Sequence, residues 1–159
     1  MNRKRRVVIG TDGSDDSKIA IEKACGFMKM NETEVVVISA YEDPVAVTID
    51  PSFVSSDYYQ GMVRALQGTA GQYVEEAEKQ IRLHFSANEV PVTTEVAIGS
   101  AEKVIVEKAE SWGADLIVVG SQGRGFWGRL LGSVSDGVVH HAPCSVLVVR
   151  HAPGFGDGK

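Results

Sequence analysis

Five short apolar runs, separated by stretches of helical periodicity, set the strongest limit on what this 159-residue chain can fold into. They are RRVVIG at 5–10, EVVVISAY at 34–41, VTTEVAI at 92–98, LIVV at 116–119 and CSVLVVR at 144–150. Runs this short and this rich in β-branched residues are strands rather than helices. The stretches between them predict helices over about 15–30, 58–86, 101–112 and 133–141. In the first helix Ala20, Ala24, Phe27 and Met28 share one stripe. In the second, Val63, Leu66, Ala70, Tyr73, Ala77 and Ile81 recur at three- and four-residue steps. Gly61, Gly68 and Gly71 weaken its first half. The third turns Val104, Ile105, Ala109 and Trp112 inward, with Ser100 as a favourable cap and Gly113 as its stop.

The resulting order, βαβαβαβαβ, belongs to a parallel sheet covered by helices on both faces. The expected architecture is a single-domain three-layer α/β/α sandwich over residues 1–150, Rossmann-like, with five parallel strands in the order 3-2-1-4-5. Residues 42–57, with Pro44 and Pro51, form the longest irregular stretch, and the glycine-rich tail 151–159 is expected to lack fixed structure. Sheets of this kind bind ligands at the carboxyl ends of their strands, where the strand order reverses. With the first and fourth strands adjacent, the loops Gly10–Ser14 and Gly120–Gly132 line one crevice, and Asp12 faces the second loop.

That second loop is rich in glycine: Gly120, Gly123, Gly125, Gly128 and Gly132. A strand precedes it, and Ser133-Val134-Ser135-Asp136 opens a helix after it. Strand, glycine loop and helix start in succession can hold phosphate. Glycines let the backbone approach an anion, and the helix end adds unpaired N–H donors and a partial positive charge. The plain alternative is a surface turn between a strand and a helix.

Composition narrows the partners. An apolar fraction of 43% and a charged fraction of 23% are those of a soluble globular domain. A net charge of -5 argues against general nucleic-acid binding and against an anionic membrane surface. No run approaches the roughly 18 apolar residues of a membrane span. Arg3 to Arg6 are followed by too short an apolar run for a signal peptide. The expected location is the cytoplasm. Cys25 and Cys144 form neither a disulfide framework nor a zinc spacing and are expected to be buried thiols.

VVIGTDGSDDS at 7–17, DLIVVGSQGRG at 115–125 and LLGSVSDGVVHHAPCSVLVVR at 130–150 together resemble the universal stress protein family. The resemblance covers nearly the whole domain and is most specific in its C-terminal part. The ATP-binding branch of that family carries a signature of Gly, two residues, Gly, nine residues, then Gly-Ser or Gly-Thr. Gly120 and Gly123 match its first part and Gly132-Ser133 its end, with eight residues between Gly123 and Gly132. The loop is one residue shorter than the signature. The resemblance implies that Asp12, with Gly10 and Thr11, lies near an adenine and ribose, and that Ala40 lies against the base. It implies that Val119 and Gly120 line the nucleoside, and that Gly123, Gly132, Ser133, Val134 and Ser135 surround the phosphates. The implied ligand is ATP, with or without Mg; AMP, or no nucleotide at all, is the alternative. A homodimer through the last strand, Cys144–Arg150, is implied too, and such a dimer would cover a long apolar sheet edge. The protein partner is unknown.

Several residues carry two readings. Asp12 is a ligand contact or the cap of the first helix. Of Ser133 and Ser135, one is the expected cap and the other is free for phosphate. Arg124 and Arg129 flank the loop and either neutralise phosphate or face water. Phe126 and Trp127 pack the loop down, stack on a ligand or meet a partner chain. His140 and His141 complement the fourth helix dipole and make a poor metal pair. His84 and His151 have no partner identifiable in the sequence. The loop is not a Walker motif, because no lysine follows Gly132. A sensor or regulator with slow ATP hydrolysis at most is therefore expected ahead of two alternatives, an interaction module without ATP and a nucleotide hydrolase.

Overall fold

The computed structural model describes residues 3–45, 55–123 and 130–150. Its elements follow the expected alternation: β1 (Arg5–Gly10), α1 (Asp15–Cys25), β2 (Thr33–Tyr41), α2 (Ser56–Arg82), β3 (Val92–Ile98), α3 (Ala101–Trp112), β4 (Leu116–Gly120), α4 (Ser133–His141) and β5 (Ser145–Val149). All strand pairs are parallel, and the sheet order is β3-β2-β1-β4-β5. The order reverses between β1 and β4, where Val7, Val8 and Ile9 stand opposite Leu116, Ile117 and Val118. The loops after β1 and β4 therefore meet at the carboxyl edge of the sheet.

Burial of both sheet faces explains the near-continuous apolar strands. Successive side chains alternate between two cores. On one face Val7, Ile9, Val35, Val37 and Val118 pack with Ala20, Ile21 and Ala24 of α1 and Val74, Ala77 and Ile81 of α2. On the other, Val8, Ile38, Ile117 and Val119 pack with Val104, Ile105 and Ala109 of α3 and Val138 of α4. Fully burying one such aliphatic side chain contributes about 1.5–3 kcal/mol, so the central strands anchor both layers.

Two helices depart from expectation. Helix α1 ends at Cys25, not near residue 30, with Gly26 as its C-cap. Phe27 thereby leaves the expected stripe and is 60% exposed, while Met28 still turns inward. Asn31, at φ 62°, completes the turn into β2. Helix α2 starts at Ser56 behind its cap Ser55 and buries Ala70, Val74, Ala77 and Ile81. Leu66 is exposed, and Val74 takes the inward place assigned to Tyr73, which covers Gly13. The expected stripe holds only in the second half of the helix, which is the half that reaches the sheet.

The basic start of the chain is structural. Arg3 pairs with Asp115 at 2.6 Å, and Arg6 pairs with Glu34 at 2.7 Å while its guanidinium lies over Trp112. His84, for which the sequence offered no partner, bonds Glu22 at 3.1 Å. Cys25 is buried, and burial pushes its thiol up to about 11. Cys144 is only half-buried, and partial burial beside Asp115 raises its thiol as well. Among the described residues no helix is long and apolar enough to cross a membrane.

Candidate functional site

The loop after β1 is tied down by its own side chains. Thr11 N–H donates to the carbonyl of Ile38 in β2 at 3.0 Å, which fixes the chain as it leaves the sheet. Asp12 Oδ1 accepts from Ser14 N–H at 3.0 Å, an Asx turn. Ser14, not Asp12, is the cap of α1: its Oγ accepts from Ser17 N–H at 3.2 Å. The second oxygen of Asp12 is left facing the other loop. A Cβ placed on Gly123 would lie 2.8 Å from Asp12 Oδ2, so a side chain there would push that carboxylate aside.

The loop after β4 is held at its two ends. Ser121 N–H donates to the Val149 carbonyl at 2.8 Å, and Gly132 N–H donates to the Ser121 carbonyl at 2.8 Å. Gln122 Nε2 reaches the Leu130 carbonyl at 3.1 Å. These bonds bring Gly123 and Gly132 together although eight residues separate them. Arg124 lies outside the described residues, as do Gly125, Phe126, Trp127, Gly128 and Arg129. The second proline of the 42–57 stretch, His151 and the tail 151–159 also lie outside them.

Neither Ser133 nor Ser135 caps α4. Gly132 is the N-cap, and it has no side chain to close the first turn. Ser135 is buried, and its hydroxyl bonds back to the carbonyls of Ser121 and Gly132 at 2.8 and 3.0 Å. Ser133 and Val134 are exposed at the mouth of the cleft. The first N–H groups of a helix have no partner within it. At α4 no side-chain cap supplies one, so donors and the positive end of the dipole face the cleft.

The cleft between the two loops has a volume of about 180 Å³. Its walls include Gly10, Thr11, Asp12, Ala40, Val119, Gly120, Gly123, Gly132, Ser133, Val134 and Ser135, the whole expected set apart from Arg124. It also includes Ser17, Ile38, Ala101, Ile105 and Gln122, which the sequence reading passed over. Ile38 lies two residues before Ala40 in β2, and Ala101 lies four before Ile105 in α3. The periods of strand and helix place each pair on one face, a signal that was available. One end of the cleft is therefore apolar, and the other presents backbone donors. A larger hollow of about 580 Å³ opens at the opposite, amino end of the sheet among Arg3, Lys4, Arg5 and Lys29. It lies far from the switch point and from the uncapped helix.

The cleft fits a nucleotide in kind. Aliphatic walls suit a base, and a glycine loop running to an open helix terminus suits a phosphate. Among the described residues no three His, Cys, Asp or Glu side chains group together as a metal site would require. Asp12 is the carboxylate lining the cleft.

Known proteins share this fold. A Staphylococcus epidermidis protein that carries the universal stress protein name is 28% identical over 148 residues, covering 92% of this chain and 84% of that one. The solved structure of the universal stress protein UspA from Lactobacillus plantarum superposes with a TM-score of 0.77 at 23% identity, covering 93% of this chain and 99% of that one. A universal stress protein solved in complex with cAMP superposes with a TM-score of 0.61 at 27% identity, covering 93% and 98%. The family model described as universal stress protein family matches residues 4–150, and the chain belongs to that family.

Proposed function

We propose that this protein binds ATP in the cleft between the β1 and β4 loops and acts as a cytoplasmic stress-response sensor or regulator, with slow hydrolysis at most. The observation that carries the reading is the start of α4. A glycine-capped helix terminus lines a cleft at the topological switch point, and among the described residues no side chain caps it. Ala40, Ile38 and Ile105 provide an apolar seat for adenine, and Asp12 lies between that seat and the glycine loop, where a ribose or a phosphate-bound Mg ion would be. The relative solved with cAMP supports an adenine nucleotide as the ligand class.

Titration of nucleotide-free protein with ATP and, in parallel, AMP, with magnesium present, tests the reading. Micromolar or tighter ATP binding is expected. AMP binding tighter than ATP would show that the base seat works but the shortened loop does not hold a triphosphate. No binding of either would leave an interaction module. That alternative has its own observation: among the described residues β5 is an edge strand, paired with β4 alone. Its apolar run is the surface we assign to a homodimer, because an uncovered edge of this kind invites pairing. Sedimentation of the free protein reads the dimer independently of the nucleotide.

A further inference from the structure

Asp16 plays no part in the cleft wall, yet it bonds directly to the start of the β4 loop. It lies in the first turn of α1, half-buried, behind the start of the β4 loop. Its Oδ2 accepts from Ser121 Oγ at 3.0 Å and from Gln122 N–H at 3.1 Å. The approach is tight: a Cβ on Gly120 would lie 2.8 Å from the Asp16 carbonyl carbon. The carboxylate thus engages a hydroxyl and a backbone donor of the loop from the side opposite the ligand.

We propose that Asp16 is a positioning residue for nucleotide binding, holding Ser121 and Gln122 so that the donors offered to phosphate begin at Gly123. The proposal rests on the nucleotide reading above. Two bonds to one carboxylate oxygen fix the peptide between Ser121 and Gln122, and the next peptide is the one that meets Asp12 and the open end of α4. Asp15 supplies the control. It precedes Asp16 in the same first turn and carries the same charge toward the α1 dipole, but it is exposed. If the role were only helix-end electrostatics, the two acids would be equivalent.

The experiment compares wild type with Asp16→Ala, Asp16→Asn and Asp15→Ala. It measures ATP and adenosine affinity, and amide hydrogen exchange of residues 120–123 without nucleotide. Loss of a charge-assisted bond to the loop is expected to weaken ATP about tenfold in Asp16→Ala. Adenosine affinity stays within about twofold, because the base seat is untouched. Asp16→Asn keeps an acceptor oxygen and is expected to restore ATP binding, and Asp15→Ala is expected to match wild type. Exchange at Gln122 speeds up in Asp16→Ala alone. ATP affinity unchanged in Asp16→Ala, an equal loss of adenosine, or an equal loss in Asp15→Ala would overturn the proposal. If wild type binds no ATP, the nucleotide reading fails by itself. The exchange measurement then decides on Asp16, and unchanged exchange at Gln122 overturns its positioning role.

Discussion

Helices α1 and α4 both start at the carboxyl edge of the sheet, one after β1 and one after β4, and their first turns are built in opposite ways. At α1 a serine caps the turn, with Ser14 Oγ accepting from Ser17 N–H, and Asp15 and Asp16 place negative charge against the dipole. At α4 the cap is Gly132, and the one buried hydroxyl of the turn, on Ser135, points back to carbonyls. The acid of α4, Asp136, comes a residue later and lies near His140 at 3.7 Å. The first helix satisfies its own terminus and the second leaves its terminus for something else. A glycine in place of a capping side chain forgoes only about a few tenths of a kcal/mol, so leaving the α4 terminus open costs the fold little. On one side of the cleft the β1 loop closes its own hydrogen bonds, and on the other the α4 terminus presents the positive end of its dipole.

The sharpest way to break this contrast is to fill the space in front of the open terminus. Gly123→Val places a branched side chain against Asp12 Oδ2, where a Cβ alone would lie 2.8 Å away and force the carboxylate to move. ATP affinity is expected to fall at least tenfold, about 1.4 kcal/mol or more, with the circular dichroism of the wild type retained. A well-folded variant that binds ATP as tightly as wild type would remove the loop from the site.

A milder change supplies α4 with the charge that α1 already has. Ser133 is exposed at the first helical position, so Ser133→Asp adds a carboxylate without disturbing the core. A negative charge at a helix start stabilises the free protein by about 0.5 kcal/mol. The same charge repels a phosphate, and ATP is expected to bind about fivefold more weakly while adenosine is unaffected. The two signs together, a higher melting temperature and weaker ATP binding, are what an anion site at α4 requires. Weaker adenosine binding to the same extent would place the effect on the base seat.

Most of the architecture was legible because it is local. The strands announced themselves as β-branched runs, and α3 and α4 came out with their observed ends, with Gly113 as the stop of α3, although the cap of α4 is Gly132 and not the expected serine. The end of α1 was not legible. Nothing before Gly26 forbids another turn, and it is the packing of Met28 and the left-handed Asn31 that turn the chain toward β2. The first half of α2 was misjudged for a related reason. Periodicity identifies a stripe but not what it meets, and only the second half of this helix meets the sheet. At the cleft, the glycines were legible from spacing and the other expected residues only through the family resemblance, while the expected caps Asp12, Ser133 and Ser135 gave way to Ser14 and Gly132. Asp16 was not, because its partners Ser121 and Gln122 are more than a hundred positions away and a first-turn acid already has a local explanation. The exchange of roles between Asp12 and Ser14 has the same origin. Both are good caps by composition, and only the geometry shows that Asp12 is bonded to Ser14 N–H and Ser14 to Ser17 N–H.

The smallest expected effect tests the closed side of the comparison. Ser14→Ala removes the hydroxyl that accepts from Ser17 N–H but leaves the Asx turn, which uses the backbone N–H of residue 14. The Ser17 hydroxyl also keeps its bond to the carbonyl of that residue at 2.8 Å. The α1 terminus then loses one satisfied donor and keeps its two acids. Stability is expected to fall by about 1 kcal/mol, a drop in melting temperature of roughly 2–4 °C for a domain of this size. ATP affinity is expected to stay within about twofold, because the vacated donor lies beside Asp15 and Asp16, where a phosphate would meet two negative charges. Thermal unfolding and ATP titration of the same preparation separate the two quantities. If Ser14→Ala lowers ATP affinity as much as Ser133→Asp does, the two termini share the ligand, and α1 is part of the phosphate site rather than its wall.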